Sequence, residues 1–189
     1  MGLIYFACLA SCCLNLNKRY EKLVGMASLT TTGTLWKGKG IYFMKINILC
    51  TSIEGNTRAF IEKLKDYAEA HRPDDTIIAK EISEADPFDD ETEDYFVFVP
   101  TYLDGGNGID NGVKELMTNA LGEYIDYGDN AAHCLGVIGS GNRNFNQQFC
   151  LTARRYAQQF NVPFLDTYEL RGTSRDVERI YQTMLDVLA

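Results

Sequence analysis

Apolar residues along the chain follow two alternating patterns, short continuous runs and longer stretches in which they recur every three to four residues. The short runs have the length of buried strands and cover residues 46–50, 76–82, 95–99, 133–139 and 163–170. The longer stretches have helical spacing and cover residues 60–68, 113–121, 149–160 and 177–188. Residues 83–94 hold Pro87 and seven carboxylates, so we expect at most a short helix there.

This order of elements predicts an α/β fold, a flavodoxin-like three-layer sandwich with a five-stranded parallel sheet. Strands that alternate with helices form a parallel sheet covered on both faces. Five such strands favour the order 2-1-3-4-5, in which the direction of the order reverses between strands one and three. Ligands of these sheets bind at the carboxyl ends of the strands near that point. We therefore expect the loops after strands one, three and four to meet at one edge.

The loop after the first strand has the composition of a phosphate-binding site. It consists of Thr51, Ser52, Ile53, Glu54, Gly55, Asn56 and Thr57. The helix that follows begins with backbone N–H groups that lack partners within the helix, and the loop adds hydroxyl and amide donors. The loop has neither the lysine of a Walker A motif nor the glycines of a dinucleotide turn, so it suits one terminal phosphate held without a cation. An ordinary strand–helix turn capped by Asn56 or Thr57 is the alternative.

The loops after the third and fourth strands have glycines and aromatic rings that suit a planar ligand. The first loop runs through Pro100, Thr101, Tyr102, Leu103, Asp104, Gly105, Gly106, Asn107 and Gly108, and the second through Ser140, Gly141, Asn142, Arg143, Asn144 and Phe145. The glycines favour a backbone that a ligand approaches closely. Tyr102 and Phe145 can stack on a flat ring, although either can instead be a core residue. A flat ring with one phosphorylated tail describes FMN.

Charge and cysteine usage narrow the range of functions. Residues 1–44 have a net charge of +4, and the remaining 145 residues, with 13 basic and 25 acidic side chains, carry −12. Such an acidic body disfavours nucleic-acid binding and suits a partner protein with a basic face. The six cysteines form no C-x-x-C pair and the two histidines are far apart, so metal-ligand spacing is absent from the sequence. Cys50 and Cys134 fall in apolar runs and are expected to be buried thiols.

Residues 1–43 differ in pattern from the rest of the chain. Their apolar run, residues 3–14, is too short to span a bilayer and has no basic residue before it. Residues 9–12 are similar to a lipoprotein cleavage box, but the basic leader of such signals is missing. We expect residues 1–43 to be a poorly ordered extension from an upstream start, and residues 44–189 to form the flavodoxin-like FMN-binding domain.

Several segments of residues 45–189 resemble NrdI, the flavodoxin-like family that accompanies class Ib ribonucleotide reductase, and in particular its streptococcal-type members. The most specific of them is Gly-Ser-Gly-Asn-Arg-Asn-Phe at residues 139–145. The first loop, Pro-Thr-Tyr at residues 100–102 and Glu-Leu-x-Gly-Thr at residues 169–173 are also similar to the family's pattern. Glu54 departs from the pattern, because flavodoxin-type loops usually have a hydroxyl residue there and a carboxylate is unfavourable beside a phosphate.

The resemblance implies that FMN contacts residues of all three loops and the start of the following helix. These are Thr51, Ser52, Ile53, Gly55, Asn56, Thr57, Pro100, Thr101, Tyr102, Leu103, Asp104, Gly105, Gly106, Asn107, Gly108, Ser140, Gly141, Asn142, Arg143, Asn144, Phe145 and Cys150. It implies a cytoplasmic protein that receives electrons from a reductase. Its role would be to supply a reduced oxygen species or electrons to the dimanganese small subunit of the ribonucleotide reductase, so that the tyrosyl radical forms. Arg143, as the only cation of these loops, is expected to favour the anionic reduced flavin.

Three other functions remain open from the sequence. The first is a general flavodoxin that carries electrons between partners. The second is an NADPH-dependent FMN or quinone reductase, although the glycine turns offer no convincing nicotinamide site. The third is an interaction domain that keeps the fold and binds no flavin.

Overall fold

The computed structural model describes residues 44–104, 114–115 and 119–189. The predicted extension at residues 1–43 and the predicted ligand contacts Gly105, Gly106, Asn107 and Gly108 lie outside these ranges, as do the side-chain surroundings of Asp104. They stay predictions.

Five parallel strands form the central sheet, as the sequence predicts. They are β1 (Lys45–Cys50), β2 (Thr76–Glu81), β3 (Tyr95–Pro100), β6 (Cys134–Gly141) and β7 (Phe164–Glu169). Their order is β2-β1-β3-β6-β7, which is 2-1-3-4-5 when the strands of this sheet are counted along the chain. Two shorter strands, β4 (Leu103–Asp104) and β5 (Lys114–Glu115), form a separate antiparallel pair after β3.

Helices cover both faces of the sheet and complete three layers. The α-helices are α1 (Asn56–His71), α2 (Ala120–Asp126), α3 (Leu151–Gln159) and α4 (Ser174–Leu188), and 3₁₀ turns span Asn130–His133 and Arg143–Gln148. On one face, α1 and α4 pack against the sheet through buried residues that include Phe60, Leu64 and Ile180. On the other face, Leu121 of α2 and Ala153 of α3 belong to a second buried cluster.

The inner strands β1 and β3 pack into this core because most of their side chains are apolar on both faces. All six residues of β3 are buried, which explains why its sequence is a continuous apolar run rather than an alternating one. Within β1, Ile46 and Ile48 face the cluster under α1 and α4, whereas Leu49 faces the other cluster. Alternation of side chains along a strand therefore divides the sheet's apolar residues between the two helical layers.

The helix predicted for residues 113–121 is wrong at residues 114–115. Lys114 and Glu115 form β5 and pair with Asp104 and Leu103, and α2 begins only at Ala120. The apolar residues have helical spacing, but tertiary pairing of the backbone overrides that local preference. The helix predicted from residue 149 likewise begins later, at Leu151, because Cys150 has a left-handed backbone with a φ of 57°.

The crossover from β2 to β3 contains no helix in residues 82–94, consistent with the expectation of at most a short one. The buried side chain of Asn130 holds this segment instead. Its Oδ1 accepts a hydrogen bond from the Glu91 N–H at 2.7 Å, and its Nδ2 donates to the carbonyls of Asp89 and Tyr124, each at 2.9 Å. One amide therefore satisfies the backbone that a helix would otherwise have satisfied internally.

Candidate functional site

Backbone hydrogen bonds continue from the sheet into the loops at its carboxyl edge. The Thr101 N–H donates to the Ser140 carbonyl at 2.8 Å, and the Leu170 N–H donates to the Gly141 carbonyl at 3.0 Å. Because these bonds extend the pairing of β3 with β6 and of β6 with β7, the loops leave the sheet from fixed positions.

A cleft of about 300 Å³ opens at this edge. Its volume is at the lower end of the range of small-molecule sites. The lining residues come from all three predicted loops and from the loop after β7, and they are Glu54, Asn56, Pro100, Thr101, Tyr102, Leu103, Ser140, Gly141, Asn142, Phe145 and Leu170. The prediction that the three loops meet at one edge is therefore confirmed.

The loop after β1 leads into α1 through Gly55, and Ser52 caps the first turn of that helix. Gly55 precedes α1 with a φ of 77°, a backbone conformation that glycine adopts without strain. The Ser52 Oγ accepts a hydrogen bond from the Arg58 N–H at 3.3 Å and satisfies one early amide of the helix.

Thr57, at the second position of α1, has a buried hydroxyl without a well-formed hydrogen bond. Its Oγ1 meets the geometry of a hydrogen bond with no described residue, although it lies near enough to the equally buried Tyr168 hydroxyl to lower the pKa of that phenol. A buried hydroxyl without a partner is costly, and such atoms mark places where a ligand supplies the missing bond. The donor set at this helix end, with hydroxyls, an amide and free backbone N–H groups, suits a phosphate.

Tyr102 connects the loop after β3 with the loop after β1. Its phenolic oxygen accepts a hydrogen bond from the Glu54 N–H at 3.3 Å. Burial raises the pKa of the Tyr102 phenol, the Glu54 carboxylate adds to that rise, and the Glu54 N–H and the Asn56 amide oppose it. The neutral phenol therefore stays a hydrogen-bonding group at the mouth of the cleft at physiological pH.

Thr101 and Asn142 have structural contacts that shape the cleft. The Thr101 Oγ1 accepts a hydrogen bond from the Thr152 N–H at 3.1 Å, so the end of β3 is held against the start of α3. The Asn142 Oδ1 accepts from the Asn144 N–H at 2.9 Å and caps the 3₁₀ turn in which Phe145 lies. Phe145 is half-buried and lines the cleft, where its ring is available for stacking.

The resemblance implies that Arg143 contacts the ligand, but its side chain lies outside the cleft. Its guanidinium forms an ion pair with the Glu169 carboxylate at 3.6 Å and lies over the Phe149 ring, 5.0 Å from its centroid. It does not line the cleft, and Glu169 offsets its charge. Its predicted contact with FMN is untested, and its effect on a reduced flavin would act across a longer distance than a direct contact.

The remaining predicted residues with described surroundings do not line the cleft, and their contact with FMN stays a prediction. Those on the first loop and helix are Thr51, Ser52, Ile53, Gly55 and Thr57, and those after β6 are Asn144 and Cys150. Cys150 is buried, and its Cβ and Sγ lie against Gly139, where any larger residue would collide with them. Burial raises the pKa of the Cys150 thiol to about 12, so it stays protonated and packs as an apolar group.

Sequence reasoning missed three residues of this edge as ligand contacts. Glu54 lines the cleft although its carboxylate seemed unfavourable there, and Leu170 lines it from the loop after β7. Arg171 reaches the first loop, where its Nε donates to the Asn56 Oδ1 at 3.0 Å. The signal for the last two is the similarity of residues 169–173 to a family pattern, which indicated a constrained turn but not its contact with the cleft.

The other titratable groups of the described part of the chain point to no second kind of chemistry. Cys50 and Cys134 are buried free thiols, as their strand positions predict. Burial raises the pKa of Cys50 to about 12 and that of Cys134 to about 11. The described residues contain no cluster of histidine, cysteine and carboxylate ligands that could hold a metal ion. Nor does any helix among them have the length and apolar character needed to cross a membrane.

Sequence comparison finds related proteins over the part of the chain that contains the three loops. A family model described as NrdI flavodoxin-like matches residues 48–182. A putative NrdI-like protein of Streptococcus pyogenes serotype M18 (strain MGAS8232) is 47% identical over 143 residues, which cover 74% of this chain and 92% of that protein. Protein NrdI of Mycoplasma genitalium (strain G37) is 34% identical over 129 residues, which cover 68% of this chain and 75% of that protein.

Structural comparison finds flavodoxins with the same architecture. A short-chain flavodoxin associated with a bacterial microcompartment aligns with a TM-score of 0.53 at 16% identity, over 77% of this chain and 97% of that one. Oxidised Flavodoxin 2 from Bacillus cereus aligns with a TM-score of 0.52 at 17% identity, over 76% of this chain and 97% of that one. At these identities the similarity concerns the fold alone, and it agrees with the strand order described above.

Proposed function

Because this chain belongs to the NrdI family of flavodoxin-like proteins, we propose that it binds FMN in the cleft at the carboxyl edge of its sheet. The observation that carries the proposal is the meeting of three loops from separate parts of the chain in one cleft. The buried Thr57 hydroxyl at the adjoining helix end, which makes no well-formed hydrogen bond among the described residues, gives further support, because a phosphate oxygen would satisfy it.

The chain's own groups have distinct tasks in this proposal. The first turn of α1, with Ser52, Asn56 and Thr57, holds the phosphate through backbone N–H groups and side-chain donors. Tyr102 and Phe145 enclose the ring from the loops after β3 and β6. Bound FMN supplies one- and two-electron redox chemistry that none of these side chains can perform.

We extend the proposal to the family's partner, the small subunit of class Ib ribonucleotide reductase. In this role the protein accepts electrons from a reductase and provides a reduced oxygen species or electrons with which the subunit assembles its dimanganese–tyrosyl radical cofactor. The partners that this role requires are cytoplasmic, so we place the protein in the cytoplasm. The acidic body of residues 45–189 suits a partner with a basic face.

Two successive measurements test the proposal. Titration of the flavin-free protein with FMN should quench FMN fluorescence with a one-to-one endpoint. The reduced, FMN-loaded protein is then mixed with manganese-loaded small subunit and exposed to oxygen, and the tyrosyl radical is counted by electron paramagnetic resonance. We expect substantially more radical than in a control with reduced free FMN.

The outcomes separate the candidate functions. Absence of FMN binding refutes the cofactor assignment and favours an interaction domain without flavin. If the protein binds FMN but no radical forms at a small-subunit concentration that saturates the complex, the role in activation is refuted and a general electron carrier remains. Direct bleaching of the bound flavin by NADPH supports the reductase alternative instead.

A further inference from the structure

Arg171 and Asn56 meet beside the cleft, which Asn56 lines and Arg171 does not, although 115 residues separate them in the chain. Asn56 is the first residue of α1 and lines the cleft. Arg171 follows β7, and its Nε donates to the Asn56 Oδ1 at 3.0 Å. The contact therefore brings a permanent positive charge to the helix end that we propose as the phosphate site.

This hydrogen bond determines which end of the Asn56 amide remains available. An asparagine side chain has an accepting oxygen and a donating nitrogen. Since the guanidinium holds the oxygen, the nitrogen is left to face a ligand. The amide also lies close enough to the Tyr102 hydroxyl to oppose the rise in that phenol's pKa, which puts its donating end on the side of the cleft.

The backbone around Arg171 is held firmly, so the guanidinium needs little further ordering. The Lys63 Nζ donates to the carbonyls of Arg171 and Gly172, each at 2.9 Å. Gly172 has a φ of 59°, and a Cβ at that position would lie 2.4 Å from the Phe60 ring, so the turn admits no side chain there. A side chain on a fixed turn loses less entropy when it binds an anion.

The guanidinium of Arg171 forms no ion pair within the described part of the chain, in contrast to those of Arg143 and Arg179. Arg143 pairs with Glu169, and Arg179 pairs with Asp166 and Asp176. None of the ion pairs among the described residues involves Arg171. Its charge can therefore offset the Glu54 carboxylate, which lines the cleft beside the proposed phosphate site.

We infer that Arg171 is a positioning residue of the anion site, which presents the Asn56 amide nitrogen to the ligand's phosphate and supplies the cation that the first loop lacks. This inference rests on the proposed function, because it assigns a role toward the phosphate of FMN. It predicts that Arg171 contributes to the preference for a phosphorylated flavin over riboflavin, which has the same ring system and no phosphate.

The test compares FMN and riboflavin as ligands of the flavin-free protein. Dissociation constants are measured by fluorescence quenching for the wild type, Arg171→Met and Arg171→Lys at two salt concentrations. Arg175→Met is the matched control, because Arg175 is an exposed arginine of the adjoining surface that does not line the cleft. A thermal melt of each flavin-free variant establishes that it is folded.

For Arg171→Met we expect the FMN dissociation constant to rise about fivefold to twentyfold, the range of one charge-assisted hydrogen bond at a partly exposed site. Its riboflavin dissociation constant should stay within about twofold of the wild-type value, and FMN binding should depend less steeply on salt. Arg171→Lys, which keeps the charge and loses the planar donor group, should fall between the two. Arg175→Met should match the wild type for both ligands.

If Arg171→Met loses affinity equally for FMN and riboflavin, or loses none for either, the inference is overturned and the proposed function stays intact. A wild type that binds neither flavin would instead refute the proposed function and, with it, the role of Arg171. Should Arg171→Met melt well below the wild type, the FMN-to-riboflavin ratio of Arg171→Lys decides the question.

Discussion

The phenolic oxygen of Tyr102 lies 3.3 Å from the backbone nitrogen of Glu54 and accepts a hydrogen bond from its N–H. This contact joins the loops that follow β1 and β3, the two strands between which the order of the sheet reverses. One residue thus belongs to both proposed halves of the ligand site, since its ring lines the cleft and its hydroxyl holds the phosphate loop. Removal of the Tyr102 hydroxyl alone should therefore affect the loop after β1 and leave the ring as a stacking surface.

Replacing Tyr102 by phenylalanine keeps the ring and removes the acceptor for the Glu54 N–H. A hydrogen bond of this kind contributes about 0.5–1.5 kcal/mol, so the FMN dissociation constant should rise by a factor of about three to ten. Isothermal titration calorimetry, with FMN added to the flavin-free protein, measures this dissociation constant. Tyr127→Phe is the control, because Tyr127 is an exposed residue at the end of α2. An unchanged affinity in Tyr102→Phe would show that the contact does not organise the loop.

Replacing Thr57 by valine should have opposite effects on the empty and the loaded protein. Valine has nearly the same shape and removes the buried hydroxyl that has no partner among the described residues. Relief of its desolvation cost should stabilise the flavin-free protein by about 1 kcal/mol, while the FMN affinity should fall roughly tenfold because a phosphate partner is lost. Thermal melting and FMN titration measure the two effects. A less stable flavin-free variant would indicate that the protein itself satisfies the hydroxyl.

Replacing Asn130 by alanine should destabilise the fold and leave flavin binding unchanged. The change deprives the Glu91 N–H of its acceptor and two carbonyls of their donor in a buried setting, a loss of about 2–4 kcal/mol. Asn130 precedes β6 and so lies at the amino edge of the sheet, away from the cleft. Urea unfolding measures the stability, with Asn119→Ala as control because that side chain caps no helix. A weaker FMN affinity, measured under conditions in which the variant is fully folded, would contradict this separation of the two edges.

The start of α4 should contribute stability that depends on pH. Burial alone would raise the pKa of Asp176, but hydrogen bonds from the Thr173 N–H and hydroxyl and from the Arg179 guanidinium outweigh it and lower that pKa below its ordinary 3.8. A lowered folded-state pKa gives stability that is present above the ordinary value and is lost as the pH falls through the lowered one. Asp176→Ala should therefore cost about 1 kcal/mol at pH 7.

The same difference should shrink as the pH of the unfolding measurement is lowered below the ordinary value of 3.8 and the carboxyl becomes protonated in the folded state as well. Asp186→Ala, near the other end of α4, is the control and should show no such loss at neutral pH, since a carboxylate there opposes the helix dipole. A cost for Asp176→Ala that is the same at both pH values would mean that the charge of this cap is unimportant.

Much of this architecture could be predicted because buried parallel strands have a simple pattern. β3 is apolar at every position because helices cover both of its faces, and no surface residue interrupts the run. Once five such strands alternate with helices, the strand order and the edge at which ligands bind follow from general rules of α/β sheets. The three loops of the cleft were predicted on that basis, since each directly follows a strand.

What could not be predicted depends on contacts between distant parts of the chain. The pairing of Leu103 with Glu115 involves only two residues on each side, too few for a periodic pattern. Cys150 adopts a left-handed backbone that its residue type disfavours, because it joins the 3₁₀ turn at Arg143–Gln148 to the helix that begins at Leu151. The bond between Arg171 and Asn56 joins residues on two different loops, and no local signal indicates it.

The hydrogen bonds that continue from β3, β6 and β7 into the loops have a practical consequence. Thr101 and Leu170 are held by the backbone of β6 and not by a ligand. We therefore expect these two loop ends to need little ordering when the proposed cofactor binds. If so, a bound flavin could be removed and replaced without refolding of this edge, and the protein would be suited to reconstitution with chemically altered flavins.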